Sequence, residues 1–215
     1  MILKKVSTVT MKKGEQTRER LLKCAEKAFS EKGYYETQVS DIVKMARVAK
    51  GTIYQYFENK RELFITLLER YAQDWEKAIA LDMKDFVGDK PGSFYAKQYL
   101  YHRISRTAGF FKENEDRTNI ILRIGIGVNE EFDEVMRMFE EKILKVITHD
   151  IDLAQRQGHV PPDINIEITS NAVLGAILRV SYYLYVVNRK NLQKFEKLGL
   201  IDEAVKLVSN TLRMD

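Results

Sequence analysis

The run Lys50-Gly51-Thr52-Ile53-Tyr54-Gln55-Tyr56-Phe57 concentrates groups that can both read and grip a polyanion. Gln55 carries the donor and acceptor needed to pair with a base edge, and Lys50 can reach a guanine or a phosphate. Thr52, Tyr54 and Tyr56 offer hydroxyls to phosphate oxygens. Ile53 and Phe57, four apart, fall on the opposite side of a helix and can anchor it to a core. Lys60, at the first turn of the next element, can pair with a backbone phosphate. No other stretch suggests chemistry of its own. There is no nucleophile with a neighbouring base, no glycine-rich phosphate loop and no zinc-ligand spacing, so the chain reads as a non-enzyme without a cofactor. His149 and Asp152 could share a helix face, yet no cysteine or second histidine supports a metal there, and none is expected.

The elements that must hold this run in place are legible around it. Leu21, Leu22, Ala25, Ala28 and Phe29 form an apolar stripe at helical spacing, predicting a helix from an N-cap at Thr17 to Lys32. Lys32-Gly33 is a strong stop, a cation on the last turn followed by a residue that tolerates the left-handed cap. Thr37 can cap a short helix burying Val39, Ile42, Val43 and Ala46. After a turn at Arg47-Val48, a second short helix covers about Ala49 to Phe57. Asn59, with Glu62 three residues later, makes a capping box that opens a long helix toward Met83, striped by Leu63, Phe64, Leu67, Leu68, Tyr71 and Trp75. Two short helices joined by a tight turn and backed by a third make a helix-turn-helix, whose second helix enters a major groove roughly 12 Å wide.

Gly33-Tyr34, Thr37, Asp41-Ile42, Val48, Lys50-Gly51-Thr52-Ile53-Tyr54, Tyr56-Phe57, Asn59-Lys60 and Glu62-Leu63 together resemble the tetracycline-repressor (TetR) family of regulators. The resemblance implies that Ser40, Lys50, Gly51, Thr52 and Gln55 face bases, while Thr37, Tyr54, Tyr56 and Lys60 hold phosphates. Gln38, beside Thr37, is counted among the DNA contacts. Two positions depart from the family pattern. Arg47 stands where a turn glycine is usual, which demands either a left-handed arginine or a shifted turn. Ala49 stands where a serine usually caps the recognition helix, which forgoes about 1 kcal/mol.

The remaining pattern is helical, so the expected fold is all-α: an N-terminal three-helix domain followed by a helical ligand-binding and dimerisation domain. Residues 1–13 read as a flexible arm, 14–60 as the helix-turn-helix, and 61–215 as the second domain. Helices are expected from Pro91 to Phe111, over 118–128, from Glu130 to Gln155, from Ile166 to Val187 and from Ile201 to Leu212, with a clear break at Gly158–Pro162. Tyr95, Tyr99, His102, Arg106 and Phe110 fall on one helical face. With Trp75, Phe139 and Tyr182, and Phe132 and Tyr183 as further walls, they outline a pocket for an apolar or aromatic molecule bearing an acidic group. Ala172, Gly175, Ala176, Arg179, Tyr182, Val186, Val205 and Val208 would face a second copy, and the resemblance implies that the last two helices form a four-helix interface. Dimerisation also doubles the contacts over a two-fold symmetric site.

Composition narrows the setting. Of 215 residues, 45% are hydrophobic and 31% charged, with three prolines and eleven glycines, which favours long helices over many short strands. Residues 1–60 carry 13 Lys/Arg against 7 Asp/Glu, a net +6; the rest carries 22 against 24, a net −2. A basic end on a mildly acidic body suits a polyanionic partner. The lone Cys24 excludes an internal disulfide and fits a reducing cytoplasm. The apolar stretch 172–187 falls short of the ~20 residues a bilayer requires and reads as a buried helix. The partners expected are double-stranded operator DNA, a small-molecule effector and a second copy, but no membrane. The overall expectation is a repressor released from a palindromic operator by its effector. Two other classes fit the same composition: an all-α enzyme or small-molecule binder with an incidental basic end, and an architectural DNA-binding protein without effector.

Overall fold

In the computed structural model, residues 13–87, 95–124 and 132–214 are described; the N-terminal arm lies almost wholly outside them. The described residues form helices joined by turns, in two compact units that divide at Leu67/Leu68.

The first unit holds α1 (Lys13–Lys32), α2 (Val39–Ala46), α3 (Lys50–Ile53) and the opening turns of α4 (Lys60–Ile79). α1 starts a turn earlier than its sequence suggests, because the Thr17 hydroxyl donates back to Lys13 O at 3.1 Å instead of capping. It ends as expected: Gly33 takes φ +84° and donates its N–H to Phe29 O. Leu21, Leu22, Ala25, Phe29, Ile42, Ile53, Phe57, Leu63 and Phe64 are all buried together in this unit's interior. The Phe29 and Phe64 rings meet edge to face at 5.0 Å. At the start of α4, Asn59 Oδ1 accepts from Glu62 N at 2.9 Å, while the Glu62 carboxylate reaches one residue further back, to Glu58 N at 2.5 Å. Because Leu63, Phe64 and Leu67 join this core, the boundary falls inside α4 rather than at its first residue.

The second unit comprises the rest of α4, α5 (Ala96–Glu113), α6 (Glu115–Ile124), α7 (Asp133–Arg156), α8 (Ile166–Tyr182), α9 (Leu192–Lys197) and α10 (Leu200–Thr211). α7 packs on α8, and α10 on α5. An aromatic cluster of Tyr71, Trp75, Phe110 and Phe139 fills its centre, with ring separations of 5.0 to 5.8 Å. The Tyr71 hydroxyl is satisfied by Thr118 at 2.7 Å, and burial raises its pKa strongly. α8 begins at Asn165, whose Oδ1 accepts from Ile168 N at 2.9 Å. It runs into a π-helical segment, Tyr183–Val187, where Asn119 Nδ2 donates to Tyr185 O at 2.7 Å. The combined stretch of 22 residues, 166–187, is longer than the apolar run noted in the sequence. Its mean hydropathy of 1.2 would suffice, by length and composition alone, for a membrane span. Here Val173, Leu174, Leu184 and Tyr185 are instead buried against protein.

Candidate nucleic-acid interface and effector cavity

α3 is only four residues long, and the chain continues as a tight turn through Tyr56. Ile53 and Phe57 are each 2% exposed, which plants the segment on the core. The other side is open: Lys50, Gly51, Tyr54 and Gln55 are exposed, and Thr52 and Tyr56 partly so. Ser40 and Gln38 are also exposed, at the start of α2. The preceding turn accepts the left-handed arginine, with Arg47 at φ 52°, ψ 50° and its N–H bonded to Lys44 O. Ala49 occupies the N-cap of α3 in an extended conformation without a side-chain cap. Asp41 ties α2 to α1 by accepting from Lys32 Nζ at 3.0 Å and from Gln38 N at 3.2 Å; these bonds hold its carboxyl below the usual carboxylate range.

Two sequence-derived contacts prove to be structural. Thr37 is fully buried, and its hydroxyl donates toward Gly33 O (2.7 Å) and Ala28 O (3.1 Å), pinning the α1–α2 turn instead of presenting a side chain to phosphate. Nor does it cap α2; Gln38 is the N-cap. The Lys60 ammonium donates to Tyr34 O (2.9 Å), Thr37 O (3.0 Å) and Tyr35 O (3.4 Å), which occupies all three of its N–H groups. Cys24, half-buried in α1, has its thiol pushed up by burial and is thereby kept less reactive.

The second unit contains a cavity of about 340 Å³, within the range of small-molecule sites. α4 contributes Trp75 and Ile79, α5 Tyr99, Arg103, Ile104 and Phe111, α7 Ile143, Ile147 and Asp150, and α8 and α10 the remaining apolar wall. Of the residues the sequence suggested, Trp75 and Tyr99 line it. Tyr95, His102, Arg106 and Tyr182 are exposed, and Arg106 donates to Ala80 O. Phe110 and Phe139 are buried in the adjacent aromatic cluster, outside the lining. The inward face of α5 is therefore Ala96, Tyr99, Leu100, Arg103, Ile104, Thr107, Ala108 and Phe111. That stripe, at three- and four-residue steps, was available in the sequence but was masked by a second, aromatic-rich face.

The cation at the cavity is thus Arg103. Its Nε donates to Asp150 Oδ2 at 2.8 Å, and its terminal nitrogens donate to Asp150 Oδ1, Tyr99 Oη and Ile79 O. Tyr99 Oη donates in turn to Asp150 Oδ1 at 2.8 Å. Burial, with Asp150 alongside, pushes the Tyr99 phenol up to about 12, so it remains a donor at neutral pH. The pole of the cavity is a closed, charge-neutral set.

Of the residues expected at a dimer face, Ala172, Gly175, Arg179 and Tyr182 are exposed on α8, in line with Ile168 (69% exposed). A Cβ added at Gly175 would meet nothing within 4 Å, so the surface there is open to a close helix approach. Ala176 and Val208 instead line the cavity, and Val186 and Val205 are partly buried.

An all-helical chain with an exposed reading segment after a tight turn, and an apolar cavity in its second unit, has the build of a helix-turn-helix regulator with a sensory domain. Residues 21–67 match the family model described as bacterial regulatory proteins, tetR family. That match identifies residues 21–67 as a DNA-binding region of the TetR type, in a chain that is a transcriptional regulator. It is 26% identical over 166 residues to the uncharacterized HTH-type transcriptional regulator YdgC of Bacillus subtilis, covering 77% of this chain and 79% of that one. A TetR-family regulator from Syntrophomonas wolfei has the same fold, with a TM-score of 0.72 and 21% identity over 93% of this chain and 96% of that one. FadR of Bacillus subtilis, solved in complex with stearoyl-CoA, superposes with a TM-score of 0.69 and 23% identity, over 88% and 96%.

Proposed function

We propose that this regulator is a cytoplasmic homodimeric repressor that leaves a palindromic operator when an apolar ligand fills the cavity of its second unit. The observation that carries the reading is the pairing of the open Lys50/Tyr54/Gln55 face with a largely apolar cavity in one chain. Residues 14–60 hold the DNA, with Gln38, Ser40, Lys50, Gly51, Thr52 and Gln55 toward bases and Tyr54 and Tyr56 toward phosphates. The rest senses and dimerises. The α8 stripe Ile168, Ala172, Gly175, Arg179 and Tyr182 repeats at alternating four- and three-residue steps, the spacing of a helix seam, and is the face offered to the second copy. This use of its apolar surface, with no membrane involved, accounts for the composition of α8.

α4 supplies both Lys60 at one end and Trp75 at the other, so it is the element through which occupancy would bias DNA binding. A ligand can do this only by binding one arrangement of the dimer more tightly than another. The relative crystallised with stearoyl-CoA supports an acyl compound as the ligand class. The chain has no catalytic role in this account. Fluorescence anisotropy with a labelled duplex from upstream of its own gene tests it. Sequence-selective binding that weakens on adding stearoyl-CoA or a shorter acyl ester supports the reading. Binding without sequence preference would favour an architectural protein, and ligand turnover would favour an enzyme.

A further inference from the structure

Ser181 lies in the wall of the cavity, where α8 passes it, and is 6% exposed. Its hydroxyl has no hydrogen-bond partner among the described residues. Thr66, Thr107 and Thr211, also on helices, each donate to the carbonyl four residues back, at 2.8 to 2.9 Å. Ser181 does not take the equivalent bond to Ile177 O. The unpartnered Trp75 Nε1 and the Ser105 and Ser170 Oγ atoms are wholly enclosed by protein, whereas the Ser181 Oγ keeps open surface, and the space its residue borders is the cavity. Two residues on, at Tyr183, the helix widens into π turns, a distortion frequent at functional sites. Around Ser181 the lining is aliphatic, including Ile143, Ile147, Val173, Ile177 and Leu184.

We infer that the Ser181 hydroxyl anchors the effector, and that the effector is a hydrocarbon-rich molecule carrying an uncharged oxygen function, such as an alcohol, ketone or ester. This rests on the reading of the cavity as the effector site. A hydroxyl can donate one hydrogen bond and accept others, so it serves either an alcohol or a carbonyl, but it cannot balance a charge. The buried charges of this wall are already matched: Arg103 and Asp150 pair with each other at 2.8 Å. A ligand carboxylate would have to share one guanidinium with Asp150, and burying an imperfectly paired charge is costly. A pure hydrocarbon would fill the space and leave the Ser181 hydroxyl unmet.

Trp75 is the single tryptophan of the chain and belongs to the same wall, so its fluorescence reports occupancy of this cavity. The full-length protein and its Ser181→Ala variant are titrated with 1-octanol, octane and octanoate at pH 7.5. Alanine suits a helix, and the melting temperature checks that the variant folds. The expected result is that Ser181→Ala weakens 1-octanol about ten-fold, because the ligand hydroxyl then lies buried without a partner, and leaves octane within two-fold of the wild type. A merely structural role for Ser181 would instead move both ligands together. Octanoate should bind the wild type at least ten-fold more weakly than 1-octanol. Equal losses for 1-octanol and octane, no loss for 1-octanol, or octanoate binding as tightly as 1-octanol would each overturn the inference while leaving the cavity as an effector site. Failure of all three probes to bind the wild type would overturn both readings.

Discussion

The ammonium of Lys60 lies 4.3 Å from the centre of the Tyr34 ring and hydrogen-bonds the Tyr34 carbonyl at 2.9 Å, with Thr37 O a second acceptor at 3.0 Å. A cation at the first turn of a helix opposes the helix dipole. Here it is turned back to close the loop between α1 and α2, so it braces the reading head from within. Lys60→Met should destabilise the first unit by about 2 kcal/mol, since it leaves carbonyls without a charged donor. Urea unfolding measures this. The salt dependence of DNA affinity supplies the contrast: the slope of log K against log salt should be unchanged, whereas a lysine on a phosphate would reduce it by about 1.

The turn before α3 makes a second test. Arg47 pays for a left-handed backbone, and a β-branched residue tolerates that region worse. Arg47→Val should lower stability by about 1–2 kcal/mol, while Ala49→Ser should raise it by about 1 kcal/mol by restoring the missing cap on α3. Thermal melts of the two variants check the pair. A neutral Arg47→Val would mean that the turn has another geometry.

The Arg103–Asp150 pair is mostly buried, with side chains 16% and 17% exposed. Asp150→Asn should therefore cost about 3 kcal/mol, because a guanidinium is left without its counter-charge. Replacing both by apolar residues of similar size, Arg103→Met with Asp150→Leu, should recover most of that loss. Equal destabilisation by the single and double variants would contradict a paired cluster.

Asp41 provides a pH signature. Its folded pKa lies below its unfolded value near 3.9, so the charged form is the one favoured by folding. The stability it contributes is fully present above the unfolded value and is lost as pH falls through the folded one. Acid should thus loosen the α1–α2 contact below about pH 4, and Asp41→Asn should flatten that part of the stability profile. Circular dichroism melts between pH 5 and pH 3 would show the difference; parallel profiles for the two proteins would refute it.

Much of the first unit was legible because its signals are local: the Leu21–Phe29 stripe, the Lys32-Gly33 stop, the Ile53/Phe57 anchor and the Asn59 cap all act within a few residues. What the sequence concealed depends on partners far along the chain. Nothing near Lys60 shows that its acceptors lie 23 to 26 residues away, and nothing near Arg103 shows that it meets Asp150, 47 residues on. α5 misleads for a related reason. It carries aromatics on more than one face, so choosing Tyr95, His102 and Arg106 over Ala96, Leu100 and Arg103 turned the helix by about one position. Trp75 is legible because it continues the stripe of α4; its unpaired N–H is a property of three-dimensional surroundings alone.

The account stands most directly on Gln55 reading a base from the open side of α3. Binding isotherms for the wild type and Gln55→Ala, on the duplex upstream of the gene and on a shuffled duplex, from about 50 to about 200 mM salt, decide it. The predicted result is a ten- to hundred-fold loss confined to the native sequence, about 1–3 kcal/mol, with the salt slope and the shuffled-duplex affinity unchanged. An equal loss on both duplexes, or no loss on either, would contradict it.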